Sequence, residues 1–252
     1  MNKGLIAVII AVAVVAVAGL GTYAYLTAPT KGPSTNQMTP PPGGPGMGNR
    51  QPPAPLAAAD QPTADAVTLA DGQQRYQING ASSTATFTLT EQLRGEPKTV
   101  VGTSTGMIAG ELAIDRNALA SSTVGAIKLN ARTFVTDDNS RNNMIRRAIL
   151  KTEDDANEYI TFSPTSLTGL PAKATTGTSF SFDIMGDLTI AGTTKPADFK
   201  ASATFNADGT LSIHATTTVK RGDFNLIIPN IPFVANVQED VLLNLDLNAS
   251  AV

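Results

Sequence analysis

Residues 133–167 read TFVTDDNSRNNMIRRAILKTEDDANEYITFSPTSL, and the fold turns on them. Sequence on either side alternates with the period of antiparallel strands; inside this stretch the period changes. Met144, Ile145, Ala148 and Ile149 recur at helical spacing and gather on one stripe. Arg141, Arg146, Arg147 and Lys151 fall mostly on the remaining surface. The DDNS run at 137–140 supplies short oxygen-bearing side chains that can accept hydrogen bonds from the free N–H groups of a first helical turn. A lone helix of about three turns among strands must rest its apolar stripe on something. The spacing therefore predicts a cover over an apolar cavity.

Working outward, RYQIN at 75–79 and ATFTLT at 85–90 alternate, followed by strand patterns at 107–115 and 126–133. Beyond the helix come 159–167, 179–190, 197–205, 211–219 and 240–249. In the last, Val241, Leu243, Leu245 and Leu247 face one way, and Asn244, Asp246 and Asn248 the other. Turn chemistry separates strands at 191–193 (AGT) and 206–209 (NADG). Eight or more antiparallel strands imply a sandwich or a closed barrel, and closure removes exposed edges. Phe180, Phe182 and Ile184 share a face, which Leu188 and Ile190 continue after a break at Met185-Gly186. Such alternation says which residues point inward. It does not say whether the inside is full or hollow.

The chain has 252 residues, a formal net charge of -3 and no cysteine. Disulfides, thiol catalysis and thiolate metal sites are thereby excluded. Residues 66–252 hold 15 basic against 19 acidic residues, about -4, which is not the footprint of a nucleic-acid binder.

Residues 1–27 contain a charge-free apolar run from 4 to 26, long enough as a helix to span a bilayer core of about 30 Å. The expectation is an uncleaved transmembrane anchor, preferred to a cleaved signal because the run continues past the Ala16-Val17-Ala18 box. Lys3 favours an inside amino terminus, leaving the domain outside the cytoplasm, at the cell envelope. Residues 28–66 carry ten of the sixteen prolines and few large apolar residues. They are expected to be a disordered, semi-extended tether.

Catalytic groups are scarce. The one histidine, His214, sits at an ordinary alternating position. A calcium loop starting at Asp137 would need Gly where Asn142 stands and Glu where Ala148 stands. No Gly-rich phosphate loop follows a strand into a helix. The expectation is a protein that is not an enzyme, without catalytic residues, metal or cofactor.

Several motifs resemble those of the YceI-like family of lipid- and polyisoprenoid-binding proteins. RNNMIR at 141–146 resembles its RDxxLR segment, and EYITFSPTSL at 158–167 its YPxaTFxSTSV strand. GDLTIAGTTKP at 186–196 is similar to GDLTLNGVTKPV, and RGDFN at 221–225 to the late DFN-type segment. They occur in the family's order across residues 73–249. Asn142 stands where the family commonly has Asp, and Ile160 where it has the proline of the YP pair.

The resemblance implies an eight-stranded antiparallel lipocalin-like barrel with one short helical insertion. It also implies a polyisoprenoid, quinone or similar long apolar ligand in the pore. Candidate pore-lining residues are Phe87, Leu129, Phe134, Met144, Ile145, Ile149, Phe162, Phe180, Phe182, Ile184 and Phe233. The expected partners are that apolar lipid and the membrane, reached through the N-terminal helix. The alternative is a non-enzymatic structural or interaction module with a filled barrel, working through the apolar loop at 225–237.

Overall fold

The computed structural model describes residue 28, residues 30–34 and residues 62–252. Among these residues thirteen strands follow in chain order. They are β1 Gln74–Ile78, β2 Thr84–Leu93, β3 Glu96–Thr105, β4 Ile108–Ala109, β5 Glu111–Ile114, β6 Thr123–Val124 and β7 Ile127–Asn130. Then come β8 Tyr159–Thr168, β9 Phe180–Ile190, β10 Thr193–Phe205, β11 Thr210–Lys220, β12 Val234–Ala235 and β13 Asp240–Ala251. One short α-helix, α1 Asn139–Met144, lies between β7 and β8. Among the described residues no helix is long and apolar enough to cross a membrane. The expected transmembrane helix at 1–27 lies outside them.

The strands form one curled antiparallel sheet. β8 to β11 pair in sequence, and β11 pairs with β13 along its whole length. On its other side β13 divides its partners: Leu242 to Asp246 pair with β2, and residues 249–251 with β1. The hairpin of β2 and β3 therefore extends one end of the sheet, where β12 adds a short pairing to Leu93 and Gln92.

The strand expected at 107–115 is divided at Gly110. Before it, β4 pairs with β7; after it, β5 pairs with β1. The strand expected at 126–133 stops at Asn130, whose side chain accepts from the Arg132 N–H and turns residues 131–133 into a 3₁₀ turn. Strand β3 has no apolar alternation to announce it. Its buried positions are Val100, Gly102 and Ser104, and the ring of Phe87 opposite occupies the space a side chain at Gly102 would need.

β9 is not broken at Met185-Gly186. Its inward alternation runs from Phe182 through Gly186 to Ile190. Gly186 is required there because a Cβ would lie 2.5 Å from the Ser163 carbonyl oxygen. The irregularity is in the neighbouring strand, a register shift between Pro164 and Ser166 of β8.

At the end of the sheet away from α1, aromatic side chains fill the interior. Tyr76 meets Phe205 edge-on at 5.9 Å, and Phe180 stacks on Phe205 at 6.2 Å. Phe162 meets Phe199 at 4.8 Å midway along. That half of the interior is packed core.

Candidate functional site: an apolar cavity under the helical insertion

The insertion departs from the regular helix its spacing predicts. Asp138 caps α1, its carboxylate accepting from the Arg141 N–H at 2.8 Å. After Met144 the chain widens into a π turn, Ile145–Ile149. The Arg146 carbonyl, which a regular helix would offer to Leu150, instead accepts from the N–H of Thr152 at 2.7 Å and its hydroxyl at 3.1 Å. The Leu150 N–H reaches one residue further back, to the Ile145 carbonyl at 2.7 Å. As a result Leu150 joins Met144, Ile145 and Ile149 on the face turned toward the sheet.

A buried polar cluster fastens the segment. The Arg132 guanidinium donates to the Thr152 carbonyl at 2.8 Å and meets the Glu158 carboxylate at 2.9 Å. Glu158 also accepts from the Asn130 amide at 2.8 Å. At the start of the insertion, Asn142 accepts from the N–H and hydroxyl of Thr136, so its amide oxygen does the work of a carboxylate there. Arg146 donates to the Phe134 carbonyl at 2.7 Å, and burial pushes its guanidinium pKa down.

Arg141 joins Asp137 to the buried Glu91 of β2, the latter at 3.0 Å. A hydrogen bond from Lys98 holds the Asp137 carboxyl below the usual aspartate range, with Arg141 adding to the effect. These arginines anchor the insertion to the sheet. The strongest anchor, Arg132, has no signature in the sequence, because it occupies an ordinary position in a strand-like run.

Between the insertion and the sheet lies a cavity of about 790 Å³. This falls in the range of small-molecule sites, roughly 300–1,000 Å³. Its walls are Phe87, Leu89 and Val100 of the β2–β3 hairpin, Ile160 and Ile190 of the central strands, Val219 of β11, and Val241 and Leu243 of β13. Phe134, Met144, Ile145, Ile149 and Leu150 close one side. Leu226, Ile228, Ile231, Phe233 and Val237 from the long loop between β11 and β13 border the mouth. The exposed or half-buried charges of Arg94, Glu96, Lys98, Asp137, Asp138 and Arg141 also border it, with the buried Glu91 among them.

Six of the eleven expected lining residues meet there: Phe87, Phe134, Met144, Ile145, Ile149 and Phe233. Phe233 is at the edge, 72% exposed, with the Arg94 guanidinium 6.0 Å from its ring centre. The other five require correction. Leu129, Phe162 and Ile184 are buried in the packed core, and Phe180 and Phe182 border only a crevice of about 40 Å³ at the filled end. Alternation marks the inner face, but β8, β9 and β11 each cross both the filled and the hollow halves.

The apolar lining offers dispersion contacts and exclusion of water, not bond-making groups. His214 lies elsewhere, on the outer face of β11, its Nδ1 2.7 Å from Asp246 of β13 in an exposed cross-strand pair. Among the described residues no cluster of His, Asp or Glu could hold a metal ion.

The sequence matches the YceI-like domain over residues 76–249, most of the chain. The chain belongs to the YceI-like family. Solved structures share this fold. One is a polyisoprenoid binding domain from Saccharophagus degradans implicated in plant cell wall breakdown. It is 13% identical, with a TM-score of 0.54, and the match covers 70% of this chain and 98% of that one. Another is Burkholderia cenocepacia BcnA, 16% identical, with a TM-score of 0.52, covering 69% of this chain and 99% of that one. No curated protein matches the sequence.

Proposed function

We propose that this YceI-like protein is a membrane-anchored, extracytoplasmic lipid-binding protein. Its cargo is a polyisoprenoid, a quinone or a comparable long apolar molecule, carried or sequestered in the cavity under the helical insertion. The observation that carries this reading is the cavity itself, about 790 Å³ and lined mainly by aliphatic and aromatic side chains. Each apolar side chain that such a cargo covers contributes on the order of 1 kcal/mol, without a demand for polar specificity. The polyisoprenoid-binding description of a structural neighbour supports the same choice of cargo.

The curled sheet serves as a barrel in this reading. Pairing passes from β1 through β13, β11, β10, β9, β8 and β7 to the joined β4 and β5, and β5 returns to β1. That makes eight positions around the interior. The charge-free run at 4–26 is the anchor, and it places the domain on the far side of the membrane from Lys3.

Organic extraction of the purified chain, followed by mass spectrometry, tests the cargo. An apolar molecule near one equivalent per chain is expected. Extracts that match a protein-free blank would remove the proposal.

A further inference from the structure

We propose that the cavity end of the sheet is a membrane-docking face, which sets Ile227 and Phe233 into a phospholipid bilayer. The cavity then opens onto the lipid from which its cargo comes. The inference rests on the proposed anchor at 4–26 and deepens the lipid-binding reading by naming the surface the site works against.

Three observations converge on this end. The first is exposure. Ile227 is 73% and Phe233 72% exposed, and both belong to the loop that borders the mouth. Water meets two large apolar side chains there, beside a cavity that is itself apolar, and such a patch marks a contact surface.

The second is backbone conformation. Phe233 has φ +70. A bulky residue rarely adopts that left-handed conformation, which glycine would take without cost. Its carbonyl accepts from the Arg94 N–H at 2.7 Å, and Arg94 is itself at φ +55. The chain thus holds an aromatic ring outward in a conformation that neither local preference nor burial rewards. Contact with an apolar medium would reward it.

The third is the route of the N-terminal segment. Residue 28 and residues 30–34 do not hang free of the domain. The Ala28 carbonyl accepts from Arg147, Lys31 N–H meets Glu153 at 3.1 Å, and Ser34 N–H meets the buried Glu158 at 2.7 Å. These contacts precede β8, whose first residues pair toward the end of β9, level with the turn that leads into β10. They are therefore at the mouth end of the sheet. Ala28 follows the apolar run at 4–26 by a single residue. In the sequence Thr27 alone separates the proposed anchor from Ala28, so the anchor adjoins the residues that contact this end of the domain. The proline-rich stretch after Ser34 comes later in the chain, so it does not set the distance to the membrane.

Charge identifies the kind of surface. The residues around the cavity include four basic and four acidic side chains, a balance that gives no preference for anionic lipid. The face fits a zwitterionic bilayer, entered by apolar contact.

The chain contains no tryptophan, so Phe233→Trp creates a single reporter in the full-length protein. Ile227→Trp is a second reporter in the same loop, and Ala207→Trp, in the exposed turn at the opposite end, is the control. Each full chain is reconstituted into phosphatidylcholine vesicles with or without brominated acyl chains, and flotation records whether it is membrane-bound. The expected result is a bound chain whose emission at 233 and 227 falls about twofold with brominated lipid, as for side chains sunk to the headgroup–acyl boundary. Emission at 207 should not change. A bound chain with no quenching at 233 and 227, or with equal quenching at 207, overturns the docking face while leaving the anchor standing. A chain that does not float with the vesicles overturns both.

Discussion

Arg132 and Glu158 meet at 2.9 Å with side chains only 1% and 3% exposed, and the pair clamps together the two ends of the segment that covers the cavity. Arg132 is the second residue after β7, and Glu158 precedes β8 directly. All of α1 and its π turn lie in the loop that this contact closes.

Breaking the clamp from one side should be costly, because the remaining partner stays buried and unpaired. Arg132→Met is expected to lower stability by about 3–5 kcal/mol in urea titration. Glu158→Gln should cost less, because Arg132 keeps the Thr152 carbonyl and Asp155. Equal losses for the two variants would contradict this ordering.

The filled and hollow halves should respond in opposite ways. Phe162→Ala removes a ring packed against Phe199 and should cost about 3–5 kcal/mol while leaving ligand content per folded chain unchanged. Ile149→Trp adds volume to the cavity, and should change stability by only about 1 kcal/mol while reducing ligand content sharply. Paired denaturation and extraction measurements check both.

Gly186→Ala should destabilise the sheet by about 1–3 kcal/mol, because the new methyl group meets a backbone oxygen that cannot rotate away. Thermal melting of the purified variant measures it. An unchanged midpoint would mean that the β8 bulge shifts to make room.

The seat of residues 30–34 should be acid-labile. Hydrogen bonds from Arg132, then Lys31, hold the Asp155 carboxyl below its ordinary value of 3.8. A depressed carboxylate pKa contributes stability that is fully present above the unfolded value and is lost as pH falls through the folded one. Hydrogen-exchange protection factors at residues 31–34, taken relative to the intrinsic rate at each pH, should therefore be highest near neutrality and should fall as pH drops below about 3.8. Asp155→Asn should show the faster exchange already at neutral pH.

Much of the fold is legible in the residues themselves. Val241 to Leu247 alternate because one face of β13 is inside, and Met144 to Ile149 depart from that period because they lie on a helix. What stays hidden depends on partners distant in sequence. The π turn arises from Thr152 competing for the Arg146 carbonyl. Strand β3 passes unnoticed because Phe87 fills the space over Gly102. The same limit governs the site: Phe87 and Phe162 are equally apolar and equally inward by pattern, yet one borders the cavity and the other is core. Periodicity is a local property, whereas a void is set by what the whole sheet fails to fill.

The most direct test of the central claim is native mass spectrometry of the wild-type chain beside Ile149→Trp, both released gently from lipid. The cavity reading predicts a wild-type population carrying one apolar molecule per chain, and a variant recovered mainly empty but folded. Wild-type chain recovered empty in repeated preparations, or the same bound mass retained in full by the variant, would contradict it.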